Sequence, residues 1–459
     1  MREILHRAIA AVLLVPPVAA QWGFIQPQNR PPDRDGALLG YDLPNNRMLM
    51  FGGNWSNDLW SLQNGVWTQL QPNPQPPSRT RGSMAVDSIS GTVVLYGGDG
   101  GTRYALDDTW EWNGTAWSQA TSAQTPGGLA LHGMAFDLVR QTTVLFGGRN
   151  DSWIPNQQSQ STWEFSNGNW TNASPAASPP ARVEAAMCYH PALNLVFLFG
   201  GEDSAGMGLD DTWTYDGTSW LQINATGPRP SPRAGSGMVP VLTRNLCVLT
   251  GGRDPGALVT TIFSDTWEHD GVSWRLAPAA HGSIVPARQR FAMAHDIVRD
   301  RIVAFGGVTV NNALQSDTWE YGAHWRRFGT GCAGSAGVPA LNGGVLPQLG
   351  QTCDAALANL PTTSSLAFMA IGLSRQQWSF GTLPALLTNF GMPGCRAYTS
   401  ADVLTAVPVS GGVGQWSWNV PSSIVYIGAE FHLQGLVPDA SANAAGLTVS
   451  NAATMVLGW

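Results

Sequence analysis

An apolar run that closes on a Gly-Gly pair recurs six times along the chain. It reads MLMFGG at Gly52-Gly53, VVLYGG at Gly97-Gly98 and TVLFGG at Gly147-Gly148, then VFLFGG at Gly200-Gly201, CVLTGG at Gly251-Gly252 and IVAFGG at Gly306-Gly307. Successive pairs lie 45, 50, 53, 51 and 55 residues apart. A tryptophan follows each pair (Trp60, Trp110, Trp163, Trp213, Trp267, Trp319), and a second comes six or seven residues later (Trp67, Trp117, Trp170, Trp220, Trp274, Trp325). Each unit parses into four strands. A small-residue strand carries Leu39, Met84, Met134, Met187, Met238 or Met293; the Gly-Gly strand, a DTWEW-like strand and a short WxQ strand follow. Asn-Gly or Asp-Gly pairs such as Asn113-Gly114, Asp216-Gly217 and Asp270-Gly271 supply the positive φ angles of tight hairpins between the last two. A four-stranded sheet of this size cannot bury both faces alone, and radial stacking of six such sheets covers them. The spacing therefore predicts a six-bladed β-propeller.

Composition agrees with many short strands and tight turns. Charged residues are only 12% of the 459, while Gly (53), Pro (31) and Trp (20) are abundant. All 24 basic residues are arginine, which excludes a lysine Schiff base or a Walker-type lysine. No basic cluster tracks a phosphate backbone, so nucleic acid is excluded as an expected partner.

Two charges repeat with the blades. Arg34, Arg79, Arg182, Arg233 and Arg288 each stand five residues before the Leu/Met position, and Asp58, Asp108, Asp211, Asp265 and Asp317 two before the first Trp. Unit three loses both, carrying Leu129 and Ser161. Joint loss in one unit predicts that Arg and Asp of the same blade pair, because a buried charge needs its partner.

The apolar strand closing on Gly-Gly, the aromatic strand and the following Trp resemble the kelch repeat, over Arg34 to about Phe328. Here Trp replaces the usual Tyr of the third strand. The resemblance implies a propeller that binds proteins or sugars, with a minority of members being enzymes.

At the N-terminus, Arg2, His6 and Arg7 precede the apolar run Ala8–Val15 and the small residues Val18, Ala19 and Ala20. This reads as an export signal over residues 1–20, too short to span a bilayer, on a chain that is secreted or held at the cell surface. Residues 21–328 are assigned to the propeller. The N-terminal WGFIQP (Trp22–Pro27) matches the fourth-strand WTQLQP (Trp67–Pro72), and Trp22 is expected on or beside blade six. Residues 329–459 are expected to form a smaller all-β, sandwich-like domain, with short helices fitting only Cys353–Leu360 and Leu383–Asn389. Its GTGCAG, LPQLG, MPGC and LTVSN pieces resemble a C-terminal domain of secreted planctomycete-like bacterial proteins. Cys188 and Cys247 fall in apolar strands as small buried residues, whereas Cys332, Cys353 and Cys395 allow one disulfide of open pairing.

No HxH, HExxH, CxxC or calcium-loop spacing signals a metal or other cofactor, and no Ser-His-Asp set or GxSxG elbow can be picked out. Cys188-Tyr189-His190 invites comparison with the copper oxidase built on a kelch propeller, but no second matching His is found. The expected function is therefore non-catalytic binding of a protein or glycan ligand. The alternative is a carbohydrate-active propeller similar to the kelch sugar epimerases, favoured if an Arg and a carboxylate converge at the channel mouth outside the repeated pairs. The loops between second and third strands vary most, running 7, 12, 15, 12, 15 and 12 residues from Gly to Trp. Recognition resides in varied loops on a constant scaffold. The ligand is thus expected on the face carrying Trp55, Arg103, Tyr104, Arg149, Asp151, Trp153, Glu202, Arg253 and Asp254, with Tyr104 and Trp153 as anchors.

Overall fold

The structure, a computed structural model, describes residues 22–457 apart from 26, 151–156, 225–226, 258–260, 278–284, 323, 344–346, 348–349 and 423–428. The expected export signal lies outside the described residues. Two compact units divide the chain.

In the first, the described residues form six antiparallel four-stranded sheets. Blade two is typical: Ser83–Val86 innermost, then Val93–Tyr96, Thr109–Trp112 and Trp117–Ala120, in registers that put Leu95 opposite both Met84 and Trp110. The innermost strands together line an axial cavity of about 170 Å³, walled by residues such as Leu39, Met84, Met134, Met187, Met238 and Met293. Blade six consists of Ala292–Asp296, Arg301–Phe305, Thr318–Gly322 and, as its fourth strand, the N-terminal Trp22–Ile25. Trp22 packs on Tyr321 with centroids 5.3 Å apart, and Phe24 on Trp319 at 5.5 Å. The ring is thus latched by its own N-terminus. Trp325 does not fill the sixth repeat as its spacing implied. Its strand, His324–Phe328, pairs with Leu447–Val456 in another sheet, so the propeller strands stop at Gly322 rather than at residue 328. The sixth unit lacks the Asn-Gly or Asp-Gly hairpin pair, and with it the sharp return to the same sheet.

Two closed circuits of backbone hydrogen bonds tie blade to blade. The second glycine of each pair donates its N–H to the carbonyl at the Arg position of the next blade: Gly53 to Arg79, Gly98 to Leu129, Gly148 to Arg182, Gly201 to Arg233, Gly252 to Arg288 and Gly307 to Arg34, at 2.8–3.0 Å. The first glycine of the pair has positive φ and faces that same carbonyl. A Cβ at Gly200 would lie 2.7 Å from the Arg233 oxygen, so the position excludes any side chain. Nearer the axis, Gly36 donates to Arg290, Arg81 to Gly36, Leu131 to Arg81, Glu184 to Leu131, Gly235 to Glu184 and Arg290 to Gly235, at 2.8–3.0 Å. All six residues of this inner ring hold φ between 53° and 67°.

The repeated charges pair within blades. Arg34 meets Asp58, Arg182 Asp211, Arg233 Asp265 and Arg288 Asp317, each through two guanidinium-to-carboxylate hydrogen bonds of 2.6–2.9 Å. Each Arg also donates to the first glycine's carbonyl, and each Asp accepts from the indole of the first Trp, as in Trp213 to Asp211 at 2.7 Å. Burial alone would raise the Asp58, Asp211 and Asp317 carboxyls, but the Arg and Trp donors outweigh it and hold them below the usual range. In blade three Ser161 bonds to Ser159 instead.

The second Trp of a blade reaches back to the preceding one. Trp170 donates to the Thr109 hydroxyl at 2.9 Å, Trp220 to Thr162 at 2.9 Å, Trp274 to Thr212 at 3.2 Å and Trp67 to Thr318 at 3.3 Å. Trp117 faces Leu59 at this position of blade one, and its buried indole N–H has no partner among the described residues.

The second unit contains one eight-stranded antiparallel sheet rather than the two facing sheets of a sandwich. Its order is His324–Phe328, Leu447–Val456, Glu430–Pro438, Leu366–Gly372, Val403–Ser410, Val413–Asn419, Thr352–Ala358, Ala340–Gly343. The sheet curls until its ends approach. Leu341 donates to the Asn451 side chain at 2.8 Å and accepts from it at 3.2 Å. One face encloses a core including Leu357, Met369, Val407, Leu433 and Met455. The other carries a smaller cluster around Leu387, Met392 and Val449 with the disulfide Cys332–Cys395, which resolves the open pairing. Neither segment that allowed a short helix forms one: residues 353–358 are strand, and only a 3-10 turn, Thr388–Phe390, occurs near the second.

Candidate functional site: the charged channel mouth

Five backbone bridges join the segment entering each blade to the segment leaving its Gly-Gly strand: Thr80 with Asp99, Ala130 with Arg149, Val183 with Glu202, Ala234 with Arg253 and Gln289 with Val308. The blade-to-blade connections and the second-to-third loops therefore emerge on one face, around the inner ring.

Three ring positions are charged, and their side chains gather with three neighbours. Glu184 accepts from Arg290 and, at 2.9 Å, from Arg253, which also donates to Glu202 at 2.5 Å. Arg81 donates to Asp35 at 3.2 Å. The Glu184 side chain is only 3% exposed, whereas Arg81, Arg253, Arg290 and Glu202 keep partly open surface. Burial alone would raise the Glu184 carboxyl, but Arg290, Arg253 and Arg81 pull it down to about 2. Glu184 is thus an ionised anchor that holds two guanidinium groups in fixed positions, unsuited to donating a proton near neutral pH. The buried Nε of Arg81 and the carbonyl oxygen of the Gln289 amide have no partner among the described residues.

The described residues expected on this face divide into three groups. Glu202 and Arg253 are brought together in the network. Tyr104 is 56% exposed with the Arg103 guanidinium 5.2 Å from its ring centroid, and Trp55, also exposed, lies beside Gly101 of the next blade. Arg149 is half-buried and bound through its backbone to Ala130, while Asp254 caps its own turn by accepting from Gly256 at 3.0 Å. Asp151 and Trp153 lie outside the described residues. Asp35, Arg81, Glu184 and Arg290 were missed. For Arg81, Glu184 and Arg290 the signal is a varied charge two residues past the repeated Arg position, where other blades carry Gly36, Leu131 and Gly235; Asp35 stands one residue past Arg34.

The comparison with a copper site finds other partners. Tyr189 donates to Asn194 at 2.9 Å, the Cys188 sulfur faces Cys247, and His190 Nε2 lies 3.0 Å from His269 Nδ1. Burial holds both imidazoles neutral, at about 4. Among the described residues no three His, Cys, Asp or Glu side chains converge as metal ligands, and no helix is long and apolar enough to cross a membrane.

Six radial four-stranded blades closed by an N-terminal strand make the first unit a six-bladed β-propeller. Its blades carry kelch-type repeats, and a kelch-repeat family model matches part of the chain. Residues 132–331 match the KLHDC2/KLHL20/DRC7 Kelch-repeats domain. An F-box/kelch-repeat protein of Arabidopsis thaliana is 32% identical over 137 residues, a match covering 27% of this chain and 27% of that protein. Among solved structures, YjhT superposes with a TM-score of 0.50 at 15% identity, over 64% of this chain and 96% of that one, which is a likeness of fold.

Proposed function

We propose that the channel mouth is the recognition site of an exported binding protein, and that its ligand is a glycan. The observation that carries this reading is the Arg253–Glu184–Arg290 network with Glu202, polar groups of both signs held on a rigid ring outside the repeated pairs. Partly open guanidinium and carboxylate groups match the paired donors and acceptors of sugar hydroxyls. Exposed Tyr104 and Trp55 on the same face offer apolar ring surfaces for stacking. A glycan array with the full chain, followed by titration calorimetry on each hit, tests it. Binding that Arg253→Ala abolishes supports the site, and unchanged binding by that variant overturns it.

The same convergence of Arg and Glu favours a second reading, a carbohydrate-active propeller. Proton NMR of each bound sugar with the protein separates the two: altered anomeric or epimeric ratios establish turnover, and static spectra establish binding alone.

A further inference from the structure

Cys188 stands on the innermost strand of blade four, Ala186–His190, and Cys247 on the Gly-Gly strand of blade five, Leu246–Thr250. Both are buried in the core between those blades, among Ala186, Phe199, Met238, Leu249 and Trp274. Their Sγ atoms are 3.0 Å apart, closer than two non-bonded sulfurs normally rest and only about 1 Å beyond a disulfide bond. The two residues are 59 positions apart, so the approach comes from blade stacking and not from a local turn.

We infer that Cys188 and Cys247 form an inter-blade disulfide when the chain folds in an oxidising environment. The reaction is exchange with a disulfide-bearing oxidant. One cysteine thiolate attacks the oxidant's S–S bond, forming a mixed disulfide and expelling one oxidant thiolate, which takes up a proton. The second cysteine thiolate then attacks the protein sulfur of that mixed disulfide and expels the other oxidant thiolate. The two cysteines together lose two electrons and two protons, and the oxidant's disulfide is reduced to two thiols. Exchange precedes closure of blades four and five, because the folded pair is sealed from solvent and burial pushes the Cys247 thiol up. With Cys332–Cys395 already joined, only Cys353, beside the Met455 sulfur at 3.6 Å, remains a thiol.

The test uses the full chain produced in an oxidising secretory compartment, unfolded without reductant, alkylated with iodoacetamide and weighed intact. One alkylated cysteine is expected, with a digest in which the Cys188 and Cys247 peptides are linked. In Cys188→Ala, where one cysteine fewer is present, the alkylated count rises from one to two. Three alkylated cysteines in the unmutated chain, or a linkage of Cys188 to another cysteine, overturns the inference.

Discussion

Arg79 donates to both carboxylate oxygens of Asp108, at 2.8 and 2.7 Å, within one blade, and its guanidinium is sealed from solvent. Five blades repeat this arrangement, and blade three replaces both members together with Leu129 and Ser161.

Asp108→Asn is therefore expected to leave Arg79 buried without its counter-charge and to cost about 3 kcal/mol, the lower end for breaking a buried pair, because Asp108 is partly open. The double variant Arg79→Leu/Asp108→Ser, which copies blade three, is expected to cost less than Asp108→Asn alone. Urea unfolding of the three proteins decides the order, and a double variant weaker than the single one sinks the account.

Trp117 and Trp170 differ in one hydrogen bond. Replacing Trp170 by Phe removes the bond to Thr109 and strands that hydroxyl, whereas Trp117→Phe removes an N–H that already lacks a partner. Trp117→Phe is expected to be milder by about 1 kcal/mol. Equal thermal shifts for both would contradict the assignment of Thr109 as acceptor.

Trp22 is buried on Tyr321 and latches blade six. Trp22→Ala should lower stability by about 3–5 kcal/mol, the cost of truncating a buried aromatic. Proteolysis under native conditions provides an independent check: cleavage is expected to begin in blade six. A stable, protease-resistant variant would mean that the strand is dispensable.

Acid should weaken the protein in two windows. His190 and His269 are held neutral, with folded values of about 4 against 6.5, so the stability they contribute is complete above 6.5 and is lost as pH falls toward 4. Glu184 has a folded value of about 2 against 4.5, so its contribution is complete above 4.5 and is lost as pH falls toward 2. Glu184→Gln is expected to make the lower limb shallower without touching the upper one, since the depressed Asp58, Asp211 and Asp317 carboxyls keep their share of the lower window. Melting temperatures measured from pH 7 to pH 2.5 resolve the two, and an unchanged lower limb in Glu184→Gln would remove Glu184 from the account.

At the channel mouth, Tyr104→Ala is expected to reduce glycan affinity about tenfold while leaving the melting temperature unchanged, since its ring is exposed and stacking on an aromatic contributes about 1–3 kcal/mol. Calorimetry beside thermal melts separates the two effects. A fall in stability without a fall in affinity would assign Tyr104 to its own loop.

That the varied loops share one face with the blade-to-blade connections was legible from the four-strand order of the repeat. Of the residues named there, Glu202 and Arg253 meet in the network, but the groups that organise them were hidden. Gly36, Arg81, Leu131, Glu184, Gly235 and Arg290 share no residue type. They share only a left-handed backbone and one circuit of hydrogen bonds, and the meeting of Arg290 with Glu184 spans 106 positions.

Blade number, strand order and the Arg–Asp pairing could all be read from the amino acids, because each is a local pattern repeated in five or all six units and its variation between copies reports its own rules. Gly-Gly recurs where a neighbouring carbonyl leaves no room for a side chain, and Asn-Gly where a two-residue turn demands positive φ. Ring closure by Trp22 rather than Trp325, the curled single sheet, the Cys332–Cys395 pairing and the approach of Cys188 to Cys247 were decided only in three dimensions. Each is a single event between distant segments, settled by which edges and cavities the packed blades and sheet leave to be filled. No local periodicity records such a choice.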